Sequence, residues 1–205
     1  MVNRDDVAAA AADAGGAAVE VAIVARGSRN ARVSTALHAA AWAGFNVTYA
    51  SGGDAPGPMM TAANALGVTL IFTGIASWML LSEWMCSVAS MRSGQGVDVP
   101  GRGWIWLSWL IPIADLFSPA KTMRRLAQGA VSTRLLLAWW LPWLLATLLI
   151  YARDDAVDPT EPALVSAAAV IVSWFALTRI IHQVSSAIAQ APAPDSAAAT
   201  SSSVV

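Results

Sequence analysis

The sequence predicts an all-α, polytopic membrane protein with four transmembrane helices. Its 205 residues are 57% hydrophobic and only 12% charged, a composition that suits contact with lipid better than a water-exposed surface. Four apolar segments approach or exceed the roughly 20 helical residues that a bilayer crossing needs. The basic residues also fall almost entirely in segments that lie on one side of such a four-span arrangement.

The chain divides into a lead-in, a membrane domain and a tail. Residues 1–30 are rich in Ala and Gly with scattered charges, and we interpret them as a cytoplasmic, partly disordered lead-in. They contain no apolar core of the kind found in cleavable signal peptides, so insertion is expected to depend on internal segments. The four-helix membrane domain covers 31–189. The low-complexity tail, 190–205, is predicted to be disordered.

The first two spans differ in hydropathy. The first, about 33–50, is the least apolar of the four because it contains His38 and Asn46 and many alanines, which contribute little transfer free energy. We therefore expect neighbouring helices to hold it in the membrane. A turn rich in Gly and Pro leads to the second span, about 63–83, in which small residues at helical spacing predict a face for close helix packing.

The last two spans are predicted with less ambiguity. The third, about 134–151, is the most hydrophobic stretch of the chain, and Pro142 is expected to kink it. The fourth covers about 163–182. Its small residues recur at helical spacing and predict a second packing face: Ser166, Ala169, Ser173 and Ala176.

A tryptophan-rich segment, 104–130, lies between the second and third spans. Its first 14 residues would reach about 21 Å as a helix, against roughly 30 Å of hydrocarbon, so they are too short to cross. Pro112 interrupts that helix and Asp115 opposes deep insertion, which favours an interfacial or a re-entrant segment. Indole rings prefer the interface. The three tryptophans of the segment are Trp104, Trp106 and Trp109.

The second part of this segment predicts a short amphipathic helix. Pro119 stands where proline is favoured at the start of a helix. Apolar residues then fall on one face, and Lys121, Arg124 and Arg125 fall on the other, as expected of a helix that lies on a membrane surface. Together with Arg102, these cations would contribute on the order of 4 kcal/mol toward anionic headgroups, at about 1 kcal/mol per basic residue.

The distribution of positive charge predicts the orientation. Of the twelve basic residues, only Arg153 falls in a loop on the opposite side from the other eleven. Positive residues remain on the cytoplasmic side of a membrane, and an even number of spans returns the chain to its starting side. Both termini are therefore expected in the cytoplasm, with the protein in the bacterial inner (plasma) membrane.

Two stretches carry a family resemblance: WLIPIADLFSPAKTMRRL (Trp109–Leu126) and the tryptophan-rich LLLAWWLPW (Leu135–Trp143). They resemble the domain of unknown function 4328 family, a set of membrane proteins common in actinobacteria. The resemblance extends over roughly Arg26–Ala189. It implies an integral membrane topology and an actinobacterial source, and the family has no established activity to carry over.

The most specific part of this resemblance is the pair Pro112 and Pro119 behind Trp109. The chain departs from the family pattern at Asp115, where asparagine is usual. It departs again at Cys86–Met91, which lacks the basic and asparagine-bearing character usual after the second span. A function that depends on those two places is therefore not implied by the resemblance.

The residue types present argue against several function classes. Cys86 is the single cysteine, which excludes an intramolecular disulfide and a cysteine-based metal cluster. No serine or cysteine is framed as a nucleophile beside a histidine base, and no His-Glu-x-x-His pattern occurs. We expect neither enzymatic activity nor a cofactor or metal, and the near-neutral charge argues against nucleic acid as a partner.

The sequence is most consistent with a small inner-membrane scaffold or interaction protein. Its expected partners are the lipid bilayer, anionic lipid headgroups, another membrane protein or a second copy of the chain. A homo-oligomeric transporter or channel subunit is the alternative. The candidate contact residues are Trp104, Trp106, Trp109, Pro112, Asp115, Pro119, Lys121, Arg124 and Arg125.

Overall fold

The computed structural model describes residues 4–52, 57–109, 118–154 and 158–191, and within these ranges it contains helices and no strand. This confirms the all-α prediction for the described part of the chain. The helices are α1 (Arg4–Ala50), α2 (Pro58–Gly94), α3 (Arg102–Leu107), α4 (Ser118–Ala127), α5 (Thr133–Asp154) and α6 (Thr160–Ala189). Most of the predicted disordered tail, 192–205, lies outside the described residues.

Three helices are long and apolar enough to cross a membrane: α2, α5 over Thr133–Tyr151, and α6. They contain the second, third and fourth predicted spans. Large apolar side chains stand exposed on them, among them Phe72, which is 68% exposed. Exposed apolar surface of this extent is unfavourable in water and suits contact with lipid.

The first predicted span lies within α1, which does not qualify as a membrane span by length and hydropathy. The physical reason is its content of alanine and polar residues, His38 and Asn46 included. α1 is also much longer than the predicted span, because its 47 residues amount to about 70 Å of helix. It begins at Arg4, so helix covers most of the lead-in for which partial disorder is expected; alanine has the highest helix propensity.

α1 and α2 pack antiparallel, with Gly27–Phe45 of α1 against Leu66–Trp84 of α2. The Ser77 hydroxyl donates to the Ser34 carbonyl across the interface at 2.7 Å, and the glycines of α2 allow close approach. A Cβ at Gly74 would lie 3.2 Å from Cε1 of His38. The contacts progress in opposite directions along the two helices: Gly27 with Trp84, Ser34 with Ser77, His38 with Gly74, Gly44 with Leu66, and Phe45 with Gly67.

α6 connects α1 to α5 through its small residues. The Ser166 hydroxyl accepts a hydrogen bond from the Trp42 indole at 3.0 Å and donates to the Ala146 carbonyl at 3.1 Å. About two helical turns further along α6, the Ser173 hydroxyl donates to the Trp139 carbonyl at 2.9 Å. All four residues of the predicted small-residue face of α6 are buried. α6 is therefore the helix around which α1 and α5 are assembled.

Candidate lipid-contact surface and an adjoining cavity

α4 is a ten-residue helix whose two ends follow from its sequence. It begins at Ser118, and Pro119 is tolerated as the second residue because the first turn needs no backbone N–H donor there. It ends at Ala127 because Gln128 and Gly129 adopt positive φ angles of 45° and 84°, which no right-handed helix can continue. The short helix predicted between the second and third spans is therefore present.

The two faces of α4 have different surroundings. Met123 and Leu126 are fully buried in the main hydrophobic core, and α4 packs against α2 and α5. The apolar face is therefore covered by protein and does not, as predicted, rest on the membrane surface. Lys121, Arg124 and Arg125 are exposed on the opposite face. We call these three residues the basic face.

The basic face carries no ion pair with a described carboxylate. The ion pair found within the described ranges joins Arg102 to Glu83 at 3.0 Å, with side chains 69% and 53% exposed. Pairs as exposed as this contribute about 0–1 kcal/mol to stability. Arg102 is thus partly neutralised by Glu83, and the three cations of the basic face remain available to an external anion.

Arg92 anchors α4 to α2. Its side chain is buried, its Nε donates to the Leu126 carbonyl at 3.4 Å, and its Nη1 donates to Oε1 of Gln95 at 3.0 Å. Leu126 is in the last turn of α4, where carbonyls lack intrahelical partners and a cation is favourable. From the sequence, Arg92 is predicted only to contribute to the charge that orients the chain. Its position in the last turn of α2 gave no signal that it would reach a second helix.

The three tryptophans of the predicted interfacial segment have different environments. Trp104 is 47% exposed, as expected of an interfacial anchor. Trp106 is half-buried and packs edge-to-face on Trp78, with ring centroids 5.3 Å apart. Trp109 is half-buried and lines a cavity. Trp106 is covered because α3 packs against α2, and Trp109 is covered where it lines the cavity; composition predicts neither contact.

The remaining candidate residues divide between the core and the part of the chain that is not described. Pro119 is fully buried, so it serves the packing of α4 and offers no contact surface. Pro112 and Asp115 lie in 110–117, outside the described residues. The structure therefore brings together Lys121, Arg124 and Arg125 on one exposed face of α4.

A cavity of about 160 Å³ lies between α1, α2, α5 and α6 and reaches Trp109. None of the described residues that line it is an Asp, Glu, Lys or Arg. Its walls contain five indole rings, contributed by Trp78, Trp109, Trp139, Trp143 and Trp174. Local sequence patterns do not predict this site, because its residues come from separate segments and form no local motif.

Comparison with known proteins leaves the fold and the site to be interpreted from the chain's own residues. No family model, no curated protein and no solved structure matches the sequence.

Proposed function

We propose that this chain is a small multi-pass scaffold or interaction protein of the bacterial cytoplasmic membrane, and that its basic face contacts anionic lipid headgroups. The observation that carries the proposal is the pairing of two properties in α4. Lys121, Arg124 and Arg125 are exposed and unpaired among the described residues, while the opposite face of the same helix is fixed in the core. A fixed helix loses little backbone entropy when its cations bind an anion.

The expected strength follows from the charge count. Each basic residue near an anionic membrane surface contributes about 1 kcal/mol, so the basic face supplies about 3 kcal/mol. Arg102 adds less than an unpaired cation would, because Glu83 accepts two hydrogen bonds from it at 3.0 and 3.3 Å. The proposal therefore depends on three cations instead of four.

For topology, we infer four spans with both termini in the cytoplasm. α1 is too polar to qualify alone, yet it pairs antiparallel with α2 along the membrane-spanning part of that helix. Its polar groups are covered inside the bundle: Asn46, Ser34 and Thr35 are all buried. Helices that cross beside α1 thus shield its polar groups from lipid, which supports a crossing by α1 as well.

Alkaline phosphatase inserted within the full chain tests this topology, because the enzyme is active only when exported and the helices that hold α1 in the membrane remain present. Fusions after Gly53 and after Asp158 are both expected to be active, and a fusion after Gly96 is expected to be inactive. If α1 does not cross while the N-terminus stays in the cytoplasm, the fusion points at Gly53 and Asp158 lie in the cytoplasm and the fusion point at Gly96 lies on the opposite side of the membrane. Inactive enzyme at Gly53 together with active enzyme at Gly96 would therefore contradict the four-span arrangement.

Lipid selectivity tests the proposed contact. We expect phosphatidylglycerol, added to the detergent-purified full chain, to raise the thermal unfolding midpoint, and phosphatidylcholine of the same chain length to leave it unchanged. At 100 times the dissociation constant a ligand adds about 2.7 kcal/mol, which is roughly 5–10 °C for a chain of this size. At 1 M NaCl the shift should largely disappear, because the Debye length falls to about 3 Å. Equal shifts with both lipids would contradict selective contact.

A further inference from the structure

A groove of about 320 Å³ runs along the surface where α1 meets α2. Its floor is the helix contact itself, because Ser34 lines the groove and its carbonyl accepts the Ser77 hydroxyl of α2 at 2.7 Å. The volume is roughly twice that of a cavity that holds one benzene ring, so the groove has room for an elongated molecule. Both helices line it: Arg29, Asn30, Val33, Ser34 and Leu37 of α1, and Thr73, Ala76 and Leu80 of α2.

The charged and apolar parts of the groove lie at different membrane depths. Arg29 and Asn30 precede the predicted first span, and Leu37 lies about two turns, or roughly 12 Å of helix, inside it. Val33 and Leu37 are 55% and 57% exposed, so the inner part of the groove opens to lipid. The groove therefore passes from the cytoplasmic headgroup level into the hydrocarbon, in the direction of a phospholipid molecule.

The inner part of the groove offers no hydrogen atom to a polar ligand. Its two hydroxyl groups, those of Ser34 and Thr73, donate within their own helices, to the Ala31 carbonyl at 3.1 Å and to the Thr69 carbonyl at 2.8 Å. The remaining side chains there are apolar. A hydrocarbon chain is the occupant that covers such walls, whereas a ligand polar along its whole length would lose hydrogen bonds to water.

The outer end of the groove has the opposite character. Arg29 and Asn30 are exposed, and neither side chain has a hydrogen-bond or ion-pair partner among the described residues. Arg29 is the one charged side chain among the described residues that line the groove, and a guanidinium matches the single negative charge of a phosphodiester. The Asn30 amide oxygen can accept a hydrogen bond from an N–H donor beside that phosphodiester.

We propose that this groove binds one molecule of phosphatidylethanolamine, with its phosphodiester on Arg29, its ammonium on Asn30 and an acyl chain along Val33 and Leu37. This headgroup carries one anion and one N–H donor and has no net charge. The site thus differs from the basic face, whose three cations favour a net negative headgroup. It rests on the proposed topology, because Leu37 meets hydrocarbon only if α1 crosses the membrane beside α2.

Native mass spectrometry tests this site with the full-length chain purified in detergent and titrated with dioleoylphosphatidylethanolamine. We expect one lipid to be retained per chain. Dioleoylphosphatidylcholine has the same acyl chains and no N–H in its headgroup, so it should be retained roughly fivefold more weakly, the effect of one hydrogen bond. Equal retention of the two lipids, or retention of neither, would overturn the inference.

Two variants and two matched controls locate the bound lipid. Arg29→Gln should weaken retention of phosphatidylethanolamine roughly fivefold, the effect of one cation near the membrane surface. Ala76→Phe places a ring in the groove from an exposed position and should abolish retention. Arg26→Gln and Ala65→Phe change exposed residues of the same helices outside the groove and should leave retention unchanged. If each variant matches its control, while circular dichroism shows all four folded, the lipid does not occupy this groove.

A second copy of the chain is the other occupant that could cover the groove. Light scattering during size-exclusion chromatography is expected to give the same mass for the Ala76→Phe variant as for the unchanged chain. A dimer that this substitution dissociates, with no lipid retained, would instead assign the groove to contact between two chains. Such a failure would leave the selectivity for phosphatidylglycerol unaffected, since none of the three residues of the basic face lines the groove.

Discussion

Replacement of Lys121, Arg124 and Arg125 together with glutamine is expected to weaken binding of phosphatidylglycerol by roughly 100-fold. The three cations supply about 3 kcal/mol, and each 1.4 kcal/mol corresponds to a tenfold change in affinity. Glutamine keeps the side chains polar, and all three positions are exposed, so α4 should remain seated through Met123 and Leu126. Mass spectrometry of lipids that co-purify with the variant measures the loss.

A matched control variant distinguishes the effect of the basic face on lipid binding from the effect of overall net charge. Arg26 and Arg29 are exposed on α1 and Arg32 is half-buried there, so their joint replacement by glutamine removes the same charge from a different helix. We expect this variant to keep most of the co-purified phosphatidylglycerol. Equal losses from both triple variants would attribute lipid binding to overall charge, and full retention in the α4 variant would contradict the proposed contact.

Trp84→Ala is expected to lower the free energy of unfolding by about 3–5 kcal/mol, the range for truncation of a fully buried large aromatic residue. Trp84 has no exposed surface, and its indole donates to the Ser185 hydroxyl of α6 at 3.2 Å. Gly27 of α1 lies against the same side chain. The substitution therefore removes contacts among α1, α2 and α6 together. Thermal unfolding should show a midpoint lower by roughly 6–20 °C.

Two further substitutions check the cause of that loss. Trp84→Phe keeps a buried aromatic ring but removes the hydrogen bond to Ser185, worth about 1 kcal/mol, and part of the ring volume, so it is expected to cost more than about 1 kcal/mol and less than Trp84→Ala. Trp104→Ala removes a ring that is 47% exposed and should cost less than Trp84→Ala. A loss as small for Trp84→Ala as for Trp104→Ala would show that the three-helix contact contributes little.

The elements predicted most directly from the sequence are those that one local property determines. Long apolar runs predict α2, α5 and α6 because few other arrangements bury so many apolar side chains. Pro119 and the alternation of basic and apolar residues likewise predict α4. The three cations of the candidate site are found by this pattern alone, since a charge on the polar face of a helix remains exposed whatever covers the other face.

What the sequence did not reveal depends on contacts between distant segments. An apolar face such as that of Met123 and Leu126 has the same pattern whether lipid or protein covers it. Hydropathy also cannot distinguish the exposed Trp104 from Trp109 at the cavity, because the difference arises from packing between elements. The length of α1 was underestimated because its alanines carry a strong helix preference and only a weak hydropathy signal.

The hydrogen bond from Trp42 to Ser166 also bears on the order in which the helices assemble. The indole belongs to α1 and its acceptor to α6, and the two residues lie 124 positions apart in the chain. While the chain is still being translated, α1 can pair with α2, but Trp42 has no native acceptor until α6 leaves the ribosome. The contact between α1 and α6 is therefore completed later than the pairing of α1 with α2, and a chain truncated before α6 would leave the Trp42 donor without its acceptor.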